Sequence, residues 1–204
     1  NPEEMQKITS LRCLATIPQI PFKARKKNKQ KRISVLDKRV SFGYRESLRA
    51  LELRLENLLA KDGGKVLLIS STSSGEGKST LAVNLSELLA SRGKRVLLID
   101  GDLRKQDDAA IIGLRDGAGL QEVINGEKTL KESLRRLKKS GIWFLGSRRT
   151  VKQPASVLGN PRVGQLIQGL KKEMDYIIID TSPCEMFQDA GMLSDWADGI
   201  LYVV

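Results

Sequence analysis

The sequence predicts an α/β fold, a mostly parallel sheet flanked by helices, and three observations carry that prediction. Short apolar runs of strand length alternate with longer stretches whose leucines recur at helical spacing. The apolar runs lack polar alternation, as strands buried on both faces of a parallel sheet do. The chain has 204 residues, 40% hydrophobic and 29% charged, which suits a globular domain with one sizeable core rather than two.

The elements follow in order. Asn1 to Phe22 holds a short apolar run, "LRCLATIPQIPF", broken by Pro18 and Pro21, and reads as a connecting segment (1–22) rather than a domain. A basic linker (23–40) precedes the folded unit (41–204). From Tyr44 to Ala60 an amphipathic helix is expected, because Leu48, Leu51, Leu55, Leu58 and Leu59 recur at helical spacing, and "KDGG" stops it. "KVLLIS" (Lys65 to Ser70) predicts a buried strand, and Ser79 to Arg92 a helix with Leu81, Leu85, Leu88 and Leu89 on one face, closed by Gly93. "RVLLID" (Arg95 to Asp100) predicts a second strand, Leu120 to Lys139 helical structure, and "IWFLGS" (Ile142 to Ser147) a third strand. A helix over "NPRVGQLIQGLKKE", a fourth strand "DYIIID" (Asp175 to Asp180) and a fifth, "GILYVV" (Gly199 to Val204), complete the pattern. Ending inside a strand predicts a fold truncated at its C-terminal end.

Composition narrows the chemistry. With no histidine, His-based general-base catalysis and His metal sites are excluded. Two cysteines, Cys13 and Cys184, show no disulfide-like spacing and suit a reducing compartment. No stretch approaches the ~18 consecutive apolar residues of a membrane span. Lys23 to Val40 carries nine Lys/Arg against one acid, Asp37, a local +8 of the total +11, so only +3 remains for the rest. The basicity belongs to one linker and not to a broad surface.

Three stations at strand ends carry the candidate chemistry. The first, "SSTSSGEGKST" (Ser70 to Thr80), lies between a predicted strand and a predicted helix and ends like a phosphate-binding loop, although Thr72 stands where such a loop has its first glycine. Gly75 and Gly77 allow close backbone approach, the helix N-terminus offers N–H groups to phosphate oxygens, Lys78 neutralises outer phosphates, and Ser79 suits Mg²⁺. Nucleotide contacts are thus expected from Ser74, Gly75, Glu76, Gly77, Lys78, Ser79 and Thr80. The second station is "VLLIDGDLR". Asp100 and Asp102 are two apart at the end of a strand, a spacing that in extended backbone turns both carboxylates the same way, with Arg104 following. In open α/β sheets ligands bind beyond the carboxyl ends of strands. The third is "DYIIIDTSP", where Asp180 ends an apolar strand. One lysine, one hydroxyl and three carboxylates suit phosphoryl transfer, in which positioning and charge neutralisation supply most of the catalysis.

Together "SGEGKST", "LLIDGDLR" and "IIIDTSP" resemble the Walker A, Walker A′ and Walker B boxes of the bacterial tyrosine kinases, the autokinases of capsule and exopolysaccharide export. "GLQEVINGE", "PASVLGNPRVGQLIQGLKKEMDYIIID" and "LRCLATIPQIP" are similar to that family's connecting segments, so the resemblance covers nearly the whole chain. It implies a P-loop NTPase fold of the MinD/ParA-like subclass and an ATP-dependent protein-tyrosine autokinase regulating polysaccharide polymerisation and export. It implies ATP and Mg²⁺, with Lys78 on the outer phosphates, Ser79, Asp102 and Asp180 around the metal, Asp100 accepting the tyrosine proton, and Arg104 near the transferred phosphate. The partitioning ATPases of the MinD/ParA group carry a signature lysine early in the loop, where this chain has Ser73, which favours the kinase. The alternatives are a MinD/ParA-like ATPase switch and a nucleotide-gated, non-enzymatic scaffold.

The helix from Tyr44 to Ala60 resembles the family's E-x-x-R-x-x-R-x-N oligomerisation motif through Glu46 and Arg49, while Glu52 replaces the second arginine and Arg54 the asparagine. The resemblance implies a homo-oligomeric ring that phosphorylates in trans. It also implies a membrane-anchored chain-length or activator domain as partner and a place on the cytoplasmic face of the bacterial plasma membrane. Ser182 replaces the first proline of the family's D-x-P-P and predicts a looser turn, and Gln106 stands where the family often has proline. The only tyrosines, Tyr44, Tyr176 and Tyr202, sit in structural positions, so no acceptor cluster is expected within these residues. The basic run 23–39 is expected to meet an anionic membrane surface, and no nucleic acid is expected, since aromatic interleaving and groove-reading motifs are absent.

Overall fold

A computed structural model describes residues 11–19, 34–38, 40–61, 63–105, 112, 114, 117–146, 150–186 and 188–204. The elements are α1 (Phe42–Ala60), β1 (Val66–Ser71), α2 (Lys78–Ser91), β2 (Val96–Asp100), α3 (Leu120–Ile124), α4 (Leu130–Ser133), β3 (Arg135–Arg136), β4 (Trp143–Leu145), α5 (Pro154–Leu158), α6 (Pro161–Glu173), β5 (Tyr176–Asp180), α7 (Asp189–Ser194) and β6 (Gly199–Val203). They build one six-stranded sheet of order β3-β4-β2-β5-β1-β6, parallel except where β3 pairs antiparallel with β4.

Every residue of β1 and β2 is buried, because the sheet is covered on both faces. Alternate strand residues feed two cores. Leu67, Ile69, Val96, Leu98 and Ile178 pack with the leucines of α1 and α2, while Val66, Leu68, Leu97, Ile99, Ile177 and Ile179 pack with α5, α6 and α7. Burying each such side chain contributes about 1.5–3 kcal/mol, so the central strands are the firmest part of the scaffold.

α1 starts at Ser41, whose Oγ accepts from Tyr44 N, and turns Leu48, Leu51, Leu55 and Leu59 inward. α2 starts at Gly77, whose φ of 99° is left-handed and favours glycine, and is closed by Gly93 at φ 85°. Ser34 and Val35, at the end of the basic linker, fasten to α2. Ser34 Oγ donates to Glu87, Val35 N–H donates to Asn84 Oδ1, and the Val35 side chain is buried in the core. Leu14, Ala15 and Ile17 pack against the same core, and Arg54 donates to the Leu14 carbonyl. Lys23 to Ile33, Arg39 and Gln106 lie outside the described residues.

The five expected strands and the three long helices are present within a residue or two. Leu120 to Lys139 differs. It holds two short helices and the edge strand β3. Gly126, at φ 75°, ends α3, and a Thr129–Glu132 capping box starts α4. Leu130, Leu134 and Leu137 mimic helical spacing, yet the chain is extended at Leu134 and hairpins back through Gly141 to pair Arg136 with Trp143. The five- and six-residue helices α5 and α7 are too short to show a helical period in sequence.

Candidate functional site: a nucleotide site at the carboxyl ends of the parallel strands

The register of the sheet brings the three stations together. Asp180 is the Cα partner of Ile69 on β1 and of Asp100 on β2, so the two aspartates lie side by side beneath the loop that leaves β1. Both are fully buried. Gly101 lets the strands approach here: its N–H donates to the Asp180 carbonyl at 2.8 Å, and a Cβ at that position would meet the same oxygen at 2.7 Å.

Past Gly101 the chain turns, and Asp102 becomes a hub. Its Oδ1 accepts from Ser182 Oγ at 2.8 Å and from the backbone N–H of Arg104 and Lys105 at 3.2 and 3.3 Å. Its Oδ2 lies 3.8 Å from the Lys78 ammonium, and both side chains are buried. Ser182 was expected to loosen its turn. Instead it is fully buried and ties the Asp180 strand end to the Asp102 turn.

The loop itself rises between two lips. Gly75 and Gly77 hold φ of 94° and 99°, and Ser74 and Gly75 are exposed at the crest. Lys78 and Ser79 are buried in the first turn of α2. On one lip the Ser73 hydroxyl donates to Glu185 at 2.7 Å, and Ser73 N–H donates to Glu76 at 2.8 Å, so the position of the signature lysine is taken by a serine held to an acid. On the other lip Lys105 donates to Ser74 Oγ at 3.0 Å. Thr72, in place of the first glycine, shares a hydrogen bond with Tyr202 OH at 2.9 Å, and Tyr202 shares another with Cys184 Sγ at 2.9 Å. The Tyr202 hydroxyl is pushed above its ordinary value, first by the Cys184 contact, while the Thr72 bond opposes the rise.

The structure brings together Lys78, Ser79, Asp100, Asp102 and Asp180. Arg104 is adjacent, with its guanidinium paired to the buried Asp189 at the start of α7. Glu46 and Arg49 lie on the solvent face of α1 and pair with each other at 2.6 Å. Glu52 does not share that face. It is buried and accepts from Arg92 on the end of α2 at 3.0 Å. Sequence reasoning missed Lys105, Asp189, Glu185 and the role of Tyr202. Only Lys105 left a signal, a second cation directly after Arg104.

Among the described residues no three Cys, Asp or Glu converge as a self-contained metal cage. Mg²⁺ does not need one, since it keeps waters and is held by one or two protein groups plus substrate phosphates. A buried hydroxyl at a helix N-terminus beside buried carboxylates, with an adjoining lysine, fits a Mg–nucleotide and would be a poor site for a softer metal.

A family model described as an AAA domain (AAA_31) matches residues 64–201. The chain is 31% identical over 146 residues to a tyrosine-protein kinase, CpsD, of Streptococcus pneumoniae, covering 71% of this chain and 64% of that protein. It spans only 21% of the length of a longer relative, ExoP, a succinoglycan biosynthesis transport protein of Rhizobium meliloti. Among solved structures, the BceF tyrosine kinase domain superposes with a TM-score of 0.86 at 26% identity, covering 98% of this chain and 84% of that one. The MinD septum site-determining protein of Pyrococcus horikoshii, solved with Mg-ADP, superposes less closely, with a TM-score of 0.59 over 69% of this chain. The chain therefore belongs to the AAA_31 family of AAA domains, and its fold and relatives are those of the bacterial tyrosine kinases.

Proposed function

We propose that the chain is the catalytic domain of an ATP-dependent protein-tyrosine autokinase that regulates capsular or exopolysaccharide polymerisation and export. The observation that carries this reading is the convergence of Lys78, Ser79, Asp100, Asp102 and Asp180 on one loop at the carboxyl ends of β1, β2 and β5. Backbone N–H groups of Ser74 to Thr80 cradle the phosphates, and Lys78 neutralises them from within the site. Ser79, Asp102 and Asp180 would hold Mg²⁺, which when bound offsets charge developing on the transferred phosphoryl group. Asp102 is well placed to serve, because Ser182 and two backbone N–H groups fix its carboxylate. Asp100, buried beside Asp180, takes the proton of the incoming tyrosine hydroxyl.

Glu46 and Arg49, exposed on α1, are the ring contact through which protomers phosphorylate one another. The basic segment 23–39 places the domain against anionic lipid on the cytoplasmic face of the plasma membrane, beside a membrane-anchored chain-length or activator domain. No helix among the described residues is long and apolar enough to cross a membrane itself. The loop favours kinase over partitioning ATPase, since Ser73 is held by Glu185 and offers no signature lysine.

The test gives the chain Mg-ATP and a tyrosine-rich acceptor polymer and measures phosphotyrosine and phosphate release together. The expected result is phosphotyrosine that disappears in Lys78→Met and Asp100→Asn. Phosphate release with no phosphotyrosine would establish the ATPase switch instead, and neither product together with nucleotide binding would leave the scaffold.

A further inference from the structure

Among the described residues of the site, Lys105 is the cation whose ammonium rests on a neutral group. Lys78 is buried against Asp102, and Arg104 is paired with buried Asp189. Lys105 instead is exposed and donates to the hydroxyl of Ser74, at the crest of the loop, at 3.0 Å. Its direction is built in. Asp102 Oδ1 accepts from the backbone N–H of both Arg104 and Lys105, and this fixed turn sends the lysine side chain back across the loop. Asp102 is thereby bonded to Lys105 through the backbone and faces Lys78 through its other oxygen.

The opposite lip has the reverse electrostatics. Ser73, where the partitioning ATPases place a lysine, donates to the carboxylate of Glu185. That lip therefore presents an acid near the loop, and the outer cation has to come from elsewhere. A neutral hydroxyl is a weak rival to a phosphate for an ammonium, because attraction between opposite charges adds to the hydrogen bond.

We propose that Lys105 is a second phosphate-facing cation, which exchanges Ser74 Oγ for the terminal phosphate of a bound nucleoside triphosphate and so distinguishes it from the diphosphate. The inference rests on the nucleotide-site reading above. Lys105 then supplies, from the β2 side, the outer positive charge that Ser73 does not.

The experiment titrates the full chain and Lys105→Met with fluorescent ATP and ADP in the presence of Mg²⁺, with Lys105→Arg and Lys78→Met beside them. Lys105→Met is expected to weaken ATP by about tenfold while ADP changes less than about twofold, the pattern for losing one charge-assisted contact to the last phosphate. Lys105→Arg is expected to recover most of the ATP affinity. Equal losses for both nucleotides would make Lys105 a mere brace of the loop and overturn the proposal, as would no loss for either. Lys78→Met should weaken both nucleotides. If the wild-type chain binds neither, the nucleotide-site reading itself falls and this inference falls with it. Wild-type binding with an unchanged preference in Lys105→Met overturns this inference alone.

Discussion

At the amino ends of the strands, Asp198 accepts from the backbone N–H of Lys65 and Val66 at 2.7 and 2.8 Å and from Lys171 at 2.9 Å. Asp175 there accepts from the backbone and guanidinium of Arg95. At the carboxyl ends of the same sheet, Asp100, Asp102 and Asp180 are all buried, and the Lys78 ammonium lies 3.8 Å from Asp102. Both ends use aspartates, and the partners differ in purpose. Asp198 and Asp175 stitch neighbouring strands together, in half-exposed positions where each carboxylate meets donors that balance it. At the other end the carboxylates are buried at adjoining strand ends, with Asp100 and Asp180 in register, an arrangement suited to meeting a bound cation. Burial beside like charge is a cost that a fold tolerates where function requires it.

That contrast breaks most clearly on two substitutions made side by side. Asp100→Asn is expected to lower phosphotransfer about a hundredfold or more while leaving the melting temperature unchanged or raised, because it keeps the side chain's shape and removes a buried charge beside Asp180. Asp198→Ala should do the reverse, costing about 2 kcal/mol by orphaning two backbone donors and an ammonium, with nucleotide affinity held within about twofold. Chemical denaturation and nucleotide titration on both variants check this. If both variants lose stability and leave activity alone, the two ends of the sheet are alike.

Ser182→Ala is expected to fall between these extremes, since its hydroxyl both satisfies Asp102 and joins two strand ends. Losing a hydrogen bond to a charged acceptor costs about 1.5–3 kcal/mol, and an Asp102 held only by the Arg104 and Lys105 backbone N–H groups should weaken nucleotide binding several-fold. A loss of stability with unchanged affinity would make Ser182 a strand-end tie only.

The smallest effect concerns pH. Arg95, chiefly through its side-chain hydrogen bond and then its backbone N–H, holds the Asp175 carboxyl below its ordinary value. A carboxylate with a lowered folded-state pKa contributes stability that is present above the unfolded value, about 4, and is lost as pH falls through the lower folded value. The stability gap between wild type and Asp175→Asn should therefore shrink below pH about 4. Because Arg95 is more than half exposed, the gap should also shrink in high salt. A gap that widens on acidification would contradict this assignment.

Much of this was legible in the sequence, for identifiable reasons. Strands buried on both faces appear as unbroken apolar runs, and register then places whatever ends those runs side by side, as with Asp100 and Asp180. The strand ends that carry Asp100 and Asp180 were therefore readable at one-residue precision. Contacts across loops were not. Lys105 meets Ser74 over 31 residues and Arg104 meets Asp189 over 85, on a helix too short to announce itself. Glu52 read as a changed member of an exposed motif, yet it lies on the leucine face of α1, one residue from Leu51, and pairs with Arg92. Leu120 to Lys139 misled because leucines at helical spacing also suit two short helices parted at Gly126 and a hairpin that turns at Gly141.

The clasp between Ser34–Val35 and α2 gives the molecule a mechanical line. α2 is a rod about 20 Å long, with Lys78 and Ser79 at its front. Asn84 stands a turn and a half behind and donates to the Thr80 carbonyl while accepting from Val35. Glu87 holds Ser34 one turn further back. The end of the basic segment is thus anchored on the same helix that carries Lys78 and Ser79 at its front, so one rod joins the tether's clasp to the phosphate loop.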